Sequence, residues 1–261
     1  MKKKLKKNYR SEVGVIGTGF VGGSVIKWFK GCDFYSLNKG DWDKVDRQKY
    51  IFLCLPTPFD EYKGFELGAL DENISRLSDG KNIIIKSTVL PGTTNMLAEK
   101  YPQHTFFFNP EFLTARIAWK DFIKPKRQII GYINKKDKYT ANKILDMLPL
   151  SEAQYLCSTG EAEMVKLISN CYLATRVVLA NQFYDYCESK GVDYEKTIKM
   201  VTSGDKRIEP SHWEIFHEGY RGYSGYCFPK DMGAMIYDSG SELLECAHAL
   251  NDKYFKESKK K

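Results

Sequence analysis

The 261-residue sequence is most informative at first for what it lacks. No stretch approaches 18 uninterrupted apolar residues, so no membrane-crossing helix is expected. The lysine-rich start has no apolar h-region before a glycine turn arrives at Gly17, which argues against a signal peptide. The seven cysteines (32, 54, 157, 171, 187, 227 and 246) are odd in number and form no C-x-x-C pair. That usage excludes a disulfide framework and fits a reducing, cytoplasmic compartment. Six of the seven are expected to be small buried hydrophobes. No metal site is expected, and the four histidines (104, 212, 217 and 248) occupy no recognisable catalytic context. There is no internal repeat and no low-complexity segment beyond the ends.

What is present reads as an ordinary globular chain: 43% hydrophobic, 28% charged and 14% aromatic. That excludes collagen-like and disordered classes. The net charge of +7 belongs to the ends, because residues 1–10 carry six positive charges and Lys259–Lys261 carry three. Subtracting those nine leaves −2 on residues 11–258. A nucleic-acid-binding face would need its cations on the folded body, so no nucleic-acid partner is expected. Residues 1–10 read as a basic, solvated, disordered tail.

Along the first half, short apolar runs at 13–16, 34–37, 51–55, 82–86, 105–108 and 128–132 predict strands. Helical patterns lie near 22–30, 70–78, 93–100 and 137–147. This alternation predicts a parallel sheet covered on both faces. After about residue 155 the pattern changes. One long helical stretch runs over 160–190 without proline, shorter helices follow, and a Gly/Tyr/Pro-rich loop at 219–229 precedes a last helix near 241–255. The expected architecture is α/β: a Rossmann-like doubly wound sheet over 11–153, then a mainly helical central domain over 154–258.

The apolar segment from Val13 runs into Gly17-Thr-Gly19-Phe20-Val21-Gly22, a G-x-G-x-x-G turn opening a helix. The first glycine permits the tight turn, the second lets a pyrophosphate approach the backbone, and the third lets helix pack on strand. The helix N-terminus then offers free N–H groups to the phosphates. The position that usually carries a ribose-binding acid is Asn38. An amide bonds a ribose hydroxyl but does not repel a 2′-phosphate, and Lys39 beside it would tolerate one. NAD is therefore preferred over NADP rather than required.

In the second half, Lys166 and Asn170 are four residues apart and share a helix face. Such a pair in a desolvated cleft can hold a developing oxyanion. The alternative is a surface lysine beside a self-satisfied asparagine. Cys227 is expected to sit within the glycine-rich loop, with Lys230 and Asp231 just after it. Neighbouring cations favour the nucleophilic thiolate, and a carboxylate four residues on could take a proton or orient a water. With no histidine at hand, a papain-type protease is disfavoured. The residue types alone leave nucleophile and packing residue evenly matched for Cys227.

Eight segments in order carry a family resemblance: GVIGTGFVGG (14–23), FLCLPTP (52–58), KSTVLPGTT (86–94), NPEFL (109–113), DFIKPKRQIIG (121–131), EAEMVKLISN (161–170), DKRIEP (205–210) and GYSGYCFPKD (222–231). Together they resemble the UDP-glucose/GDP-mannose 6-dehydrogenase family, its UDP-glucose members most of all. The resemblance implies NAD-dependent, two-step oxidation of a nucleotide sugar's C6 alcohol to a carboxylate. It implies that Cys227 forms a thiohemiacetal and then a thioester. Lys166 and Asn170 would stabilise oxyanions, Asp231 would move a proton or water, and Thr88 and Glu111 would position a water or act as base. Cofactor contacts are implied for Gly17, Gly19, Phe20, Val21, Gly22, Asn38, Leu55, Pro56, Thr57, Ser87, Thr88 and Lys230. Substrate contacts are implied for Glu111, Phe112, Leu113, Lys166, Asn170, Gly222, Tyr223 and Gly225, with Arg207 reaching across a homodimer interface.

The chain departs from the family pattern in four places. The family's third, nucleotide-binding domain has no counterpart in 261 residues, so a separate chain supplying it is one expectation. Asn38 replaces the acid, and only about a dozen residues join that strand to Tyr50, where the family fits a helix and another strand. Ala115 stands where the NPEFL segment usually adds a second carboxylate, and Ser224 stands where a second glycine is usual. Two other classes remain open: a two-electron 3-hydroxyacid-type dehydrogenase, and a non-catalytic NAD-binding or assembly protein.

Overall fold

The structure is a computed structural model and describes residues 9–217 and 219–258. The expected disordered tail lies outside the described residues, except that Tyr9–Glu12 form a 3-10 turn. In chain order the elements begin β1 (Val13–Ile16), α1 (Phe20–Trp28), β2 (Asp33–Ser36), β3 (Lys39–Gly40), α2 (Trp42–Asp46), β4 (Tyr50–Leu53), β5 (Phe59–Asp60) and β6 (Gly64–Phe65). They continue α3 (Gly68–Ser75), β7 (Asn82–Ile85), α4 (Thr93–Lys100), β8 (Thr105–Phe108), α5 (Ala118–Ile123), β9 (Arg127–Tyr132), α6 (Lys138–Met147) and β10 (Ala153–Ser158). The remainder is helical apart from one small hairpin: α7 (Thr159–Ser189), α8 (Tyr194–Val201), β11 (Phe216–His217), β12 (Tyr220–Arg221), α9 (Cys227–Ser239) and α10 (Glu242–Ser258).

Two compact units result. The first comprises the residues to Pro58 together with Phe65–Lys166, and the second comprises Phe59–Gly64 with the residues from Leu167 on. The expected boundary after residue 153 falls within β10, which pairs with β9, and the first unit runs on to Lys166 in α7. β10 escapes the sequence because it is an edge strand. Its residues are half-buried or exposed, so no continuous apolar run marks it.

The first unit holds an eight-stranded sheet in the order β10-β9-β8-β7-β4-β1-β2-β3. Strands β2, β1, β4, β7 and β8 are mutually parallel. The wholly parallel sheet expected from sequence is corrected here: β9 runs antiparallel to β8, and β3 antiparallel to β2. Periodicity marks a strand but not its direction. Period-two alternation fills both faces. Val13, Val15, Phe52, Ile84 and Phe107 pack with Val25, Ala141, Ile144 and Leu145 on one side. Ile16, Ile51, Leu53, Ile83, Ile85 and Phe108 pack with Val45, Leu70, Ile74 and Leu97 on the other. The chain reverses its winding between β1 and β4, so the crevice beyond their carboxyl ends is a topological switch point.

In the dozen or so residues that join β2 to β4, β3 and the five-residue α2 make a compact return, with the Asp41 carboxylate capping α2 at the Lys44 N–H. The Arg76 guanidinium lies 3.9 Å over the Trp42 ring and 5.4 Å over Tyr35, pinning this short connection.

In the second unit α7, α9 and α10 enclose Cys171, Ala174, Val178, Tyr223, Met232, Ala247 and Tyr254. Helix α7 has the extent the sequence predicts, within a residue at each end. Gly240, at φ 61°, closes α9 in the left-handed conformation that glycine tolerates.

Candidate functional site

Gly17, Gly19 and Gly22 lie at the carboxyl end of β1, and each behaves differently. Gly17 has φ 97°, and a Cβ there would stand 2.3 Å from the Cys54 carbonyl oxygen. A Cβ on Gly22 would stand 1.9 Å from the Gly17 carbonyl oxygen, so this glycine lets α1 close onto the turn. A Cβ on Gly19 would meet nothing within 4 Å. The open face at Gly19 leads to the start of α1, which has neither a side-chain cap nor an acidic residue in its first turn. Free N–H groups and space for an anion are what a dinucleotide pyrophosphate requires. The residues therefore fit NAD.

Around the turn, the Gly17 N–H donates to the Tyr35 carbonyl at 2.9 Å, tying it to β2. Asn38 is exposed in the turn between β2 and β3. Phe20 is exposed and Val21 half-buried at the start of α1. The loops following β4 and β7 are laced together. The Leu55 N–H donates to the Ser87 hydroxyl at 3.1 Å, that hydroxyl donates to the Leu55 carbonyl at 2.7 Å, and Thr57 Oγ1 donates to the Thr88 carbonyl at 2.7 Å. The structure thus gathers Leu55, Thr57, Ser87 and Thr88 at the carboxyl ends of β4 and β7.

Glu111 and Lys166 form a buried ion pair within the first unit. Lys166 Nζ donates to Glu111 Oε1 at 2.9 Å, and the Leu113 N–H donates to Oε2 at 2.8 Å. The lysine is 4% exposed, which sets aside the surface-lysine alternative. Phe112 lies between two cations, with Lys166 Nζ 5.8 Å and the Arg127 guanidinium 3.9 Å from its ring centre. Sequence reasoning missed two further buried charged residues of the first unit. Lys86 is buried and donates to Asn109 Oδ1 at 2.7 Å and to its carbonyl at 3.3 Å, and desolvation pushes its pKa below the ordinary lysine value. The wholly buried Glu163 accepts from the Gly92 N–H at 2.7 Å, the Thr94 N–H at 2.8 Å and the Thr94 hydroxyl at 2.5 Å, capping α4. Burial raises the Glu163 carboxyl above its usual pKa, and the three donors pull the other way.

Replacing Glu163 with alanine strands those N–H groups in the interior. The expected cost is about 2–4 kcal/mol, measured as a fall in the urea midpoint. Glu163→Gln retains an acceptor and is expected to lose less.

The second unit carries the nucleophile candidate. Cys227 is the first residue of α9, which corrects its expected place within a loop. Pro229 belongs to the first helical turn, where its missing N–H would have had no helical partner. A helix N-terminus favours a thiolate. One turn on, the wholly buried Asp231 accepts from Asn170 Nδ2 at 2.5 Å through Oδ2 and from Lys230 Nζ at 2.6 Å through Oδ1. Asn170, Lys230 and Asp231 therefore form one charged, hydrogen-bonded group. Arg207 is exposed and forks onto Asp205, at 3.0 Å from Nε and 2.7 Å from Nη2. Gly222 and Gly225 both have positive φ, at 84° and 79°, and Tyr223 between them is buried.

Burial sets aside four of the other thiols. Only Cys32 and Cys171 are fully buried, and Cys246 is exposed, so the expectation of six buried cysteines is corrected. Desolvation pushes Cys32 and Cys157 up to about 11 and Cys54 and Cys171 up to about 12, keeping them protonated and unreactive at neutral pH. Among the described residues no cluster of three or more His, Cys, Asp or Glu side chains could hold a metal. None of the described helices is long and apolar enough to cross a membrane.

Comparison with known proteins joins these observations. Residues 34–148 match the NAD binding domain of the UDP-glucose/GDP-mannose dehydrogenase family, and residues 160–253 match its central domain. The UDP-glucose 6-dehydrogenase AglM of Haloferax volcanii is 30% identical over 239 residues, covering 81% of this chain and 54% of that protein. The UDP-glucose 6-dehydrogenase of Rickettsia prowazekii is 32% identical over 205 residues, covering 75% and 46%. The chain thus spans about half the length of the curated relatives it matches. A UDP-glucose dehydrogenase structure from Pyrobaculum islandicum shares the fold, with a TM-score of 0.81 at 22% identity over 97% of this chain and 70% of that one. With both domain models matched in order and the glycine cradle formed, the chain belongs to the UDP-glucose/GDP-mannose dehydrogenase family.

Proposed function

We propose that the chain carries out NAD-dependent oxidation of a nucleotide sugar, UDP-glucose before others, from the C6 alcohol to the uronate. The observation that carries this reading is Cys227 at the start of α9, one turn from an Asp231 held by Asn170 and Lys230. A two-electron dehydrogenase has no use for a nucleophilic thiol in that setting. NAD, when bound, would supply the hydride acceptor, with two NAD molecules consumed in turn for each sugar. When the C6 alcohol loses its proton and hydride, the Cys227 sulfur adds to the resulting aldehyde to give a thiohemiacetal. Loss of a second hydride and proton leaves a thioester. Water then adds to the thioester, and the C–S bond breaks to release carboxylate and regenerate the thiol.

The remaining residues take roles that suit their chemistry. The Lys166 ammonium and the Asn170 amide are donors for the oxyanion of each tetrahedral stage. Asp231 accepts a proton or orients the hydrolytic water, while Glu111 and Thr88 position a water or act in base catalysis. Phe112, Leu113, Gly222, Tyr223 and Gly225 are assigned to substrate binding and Lys230 to cofactor binding. The direct test is NADH formation on UDP-glucose and GDP-mannose, with uronate as the product assayed.

A homodimer belongs to the same proposal, with Arg207 reaching the partner's substrate. Its support is a stripe along α7 in which Ile168, Tyr172, Leu179, Phe183 and Tyr186 are each between 45% and 64% exposed. A soluble monomer rarely leaves so many large apolar residues aligned on one helix. Light scattering at micromolar concentration is expected to give a dimer, and Leu179→Glu to weaken it. A wild-type monomer would sink this part. The free thiols suit a cytoplasmic setting.

A further inference from the structure

The segment leading to Cys227 is strapped along α10. One side chain, Asn251, satisfies both backbone polar groups of Tyr223: Oδ1 accepts from the Tyr223 N–H at 2.6 Å, and Nδ2 donates to the Tyr223 carbonyl at 3.1 Å. Asn251 is 3% exposed, so these bonds face no competition from water. The preceding residue must be glycine for the clamp to close. Gly222 has φ 84°, and a Cβ there would stand 2.6 Å from Asn251 Oδ1.

Further contacts extend the strap both ways. The Tyr223 hydroxyl lies 2.7 Å from His248 Nδ1, its ring stacks on that imidazole, and its edge meets Phe228, the residue after Cys227. Upstream, the Arg221 N–H donates to Ser258 Oγ at 2.8 Å, and its guanidinium lies 4.4 Å over the Tyr254 ring. Tyr220 packs edge-on against Phe255. His248, Asn251, Tyr254, Phe255 and Ser258 recur every three or four residues and so line one face of α10. Arg221 also reaches α7, donating to Asn181 Oδ1 at 2.9 Å and to Asp185 at 2.6 Å. Only Ser224, Gly225 and Tyr226 separate the clamped Tyr223 from Cys227.

We propose that α10 is the splint that fixes the nucleophile, with Asn251 as its principal positioning residue and the Tyr223–His248 contact as its second. This rests on the reading of Cys227 as the nucleophile. A thiolate on the first residue of a helix draws on the N–H groups of the first turn, and it does so only while the chain enters that turn at a fixed angle. With three residues between clamp and thiol, releasing Tyr223 lets the first turn of α9 fray.

The test reads the thiol itself, with no sugar present. Iodoacetamide alkylation of Cys227 is followed against pH by peptide mass spectrometry in wild type, Asn251→Leu, Asn251→Asp and Tyr223→Phe. Cys246, exposed on α10, is the internal reference for the reagent, and circular dichroism reports whether the helices are still formed. The alkylation midpoint of Cys227 is expected to rise by about half a pH unit in Asn251→Leu, with Cys246 unchanged. Asn251→Asp keeps an acceptor for the Tyr223 N–H and is expected to shift less. If Asn251→Leu fails to fold, Tyr223→Phe decides, because it removes one hydroxyl and leaves the ring. Profiles superimposable on wild type in every folded variant overturn the proposal. Absence of turnover in the wild type would count against the dehydrogenase reading alone, since the alkylation profile is read independently.

Discussion

Cys227→Ser is expected to abolish uronate formation, lowering kcat by about a thousandfold or more while leaving NAD affinity unchanged. The second oxidation is the step that needs the sulfur. An aldehyde has no hydride to give until a nucleophile makes it tetrahedral, and a serine hydroxyl without a nearby histidine base is a poor substitute. The first oxidation does not require a covalent bond, so the variant should yield at most one NADH per sugar, against two for the wild type. This stoichiometry separates the open readings. A two-electron dehydrogenase gives one NADH in both proteins and barely notices the substitution. A non-catalytic relative binds NAD and gives none in either. Because the chain spans about half the length of the matched relatives, the assay should be run on the chain alone and with the unmatched part of the Rickettsia prowazekii relative supplied in trans. A wild type silent on UDP-glucose and GDP-mannose in both arms would defeat the enzymatic reading.

What the sequence disclosed about this site, and what it hid, follows from the range of the interactions involved. The glycine turn was legible because its constraints are local: a positive φ at Gly17 and a helix start at Phe20 leave their mark within six residues. The long α7 was legible because its pattern holds over 31 residues without a breaker. Cys227 stood out by its neighbours, yet its place at a helix start was masked by Pro229, which reads as a loop residue unless the first turn is already known. Glu163 was passed over because its partners, Gly92 and Thr94, lie some 70 positions away and nothing local marks a buried carboxylate. Asn251 was hidden for the same reason, its partner Tyr223 lying 28 positions upstream. The reversed direction of β9 was illegible in principle, since hydrophobic alternation is the same for both directions. Elements thus followed from period and punctuation. The polar contacts that orient the candidate site came only with the tertiary fold.

Gly19→Ala and Gly22→Ala should divide cofactor binding from folding, although the two residues stand three positions apart. Gly19 has φ −63° and ψ −170°, which alanine adopts without strain, and its Cβ would meet no atom within 4 Å. Its stability should therefore stay within about 0.5 kcal/mol of wild type. The added methyl would instead occupy the space at the N-terminus of α1 that a pyrophosphate must enter. NAD affinity is expected to fall about tenfold or more, read by calorimetry or by quenching of protein fluorescence. Gly22→Ala should do the opposite. Its Cβ would stand 1.9 Å from the Gly17 carbonyl and 2.8 Å from the Gly17 carbonyl carbon, both backbone atoms that cannot swing aside. Helix α1 would have to lift from β1, spoiling the packing of Val25 against Val13 and Val15, at an expected cost of about 2 kcal/mol or more with NAD binding lost as a consequence. A Gly19→Ala protein that binds NAD as tightly as wild type would show that the cofactor does not approach the backbone at Gly19. A Gly22→Ala protein of unchanged stability would show that the helix has room the structure does not allow it. Only a pyrophosphate seated on a tightly closed turn accounts for both expected outcomes, a fold indifferent to the second glycine and a cofactor site that cannot spare it.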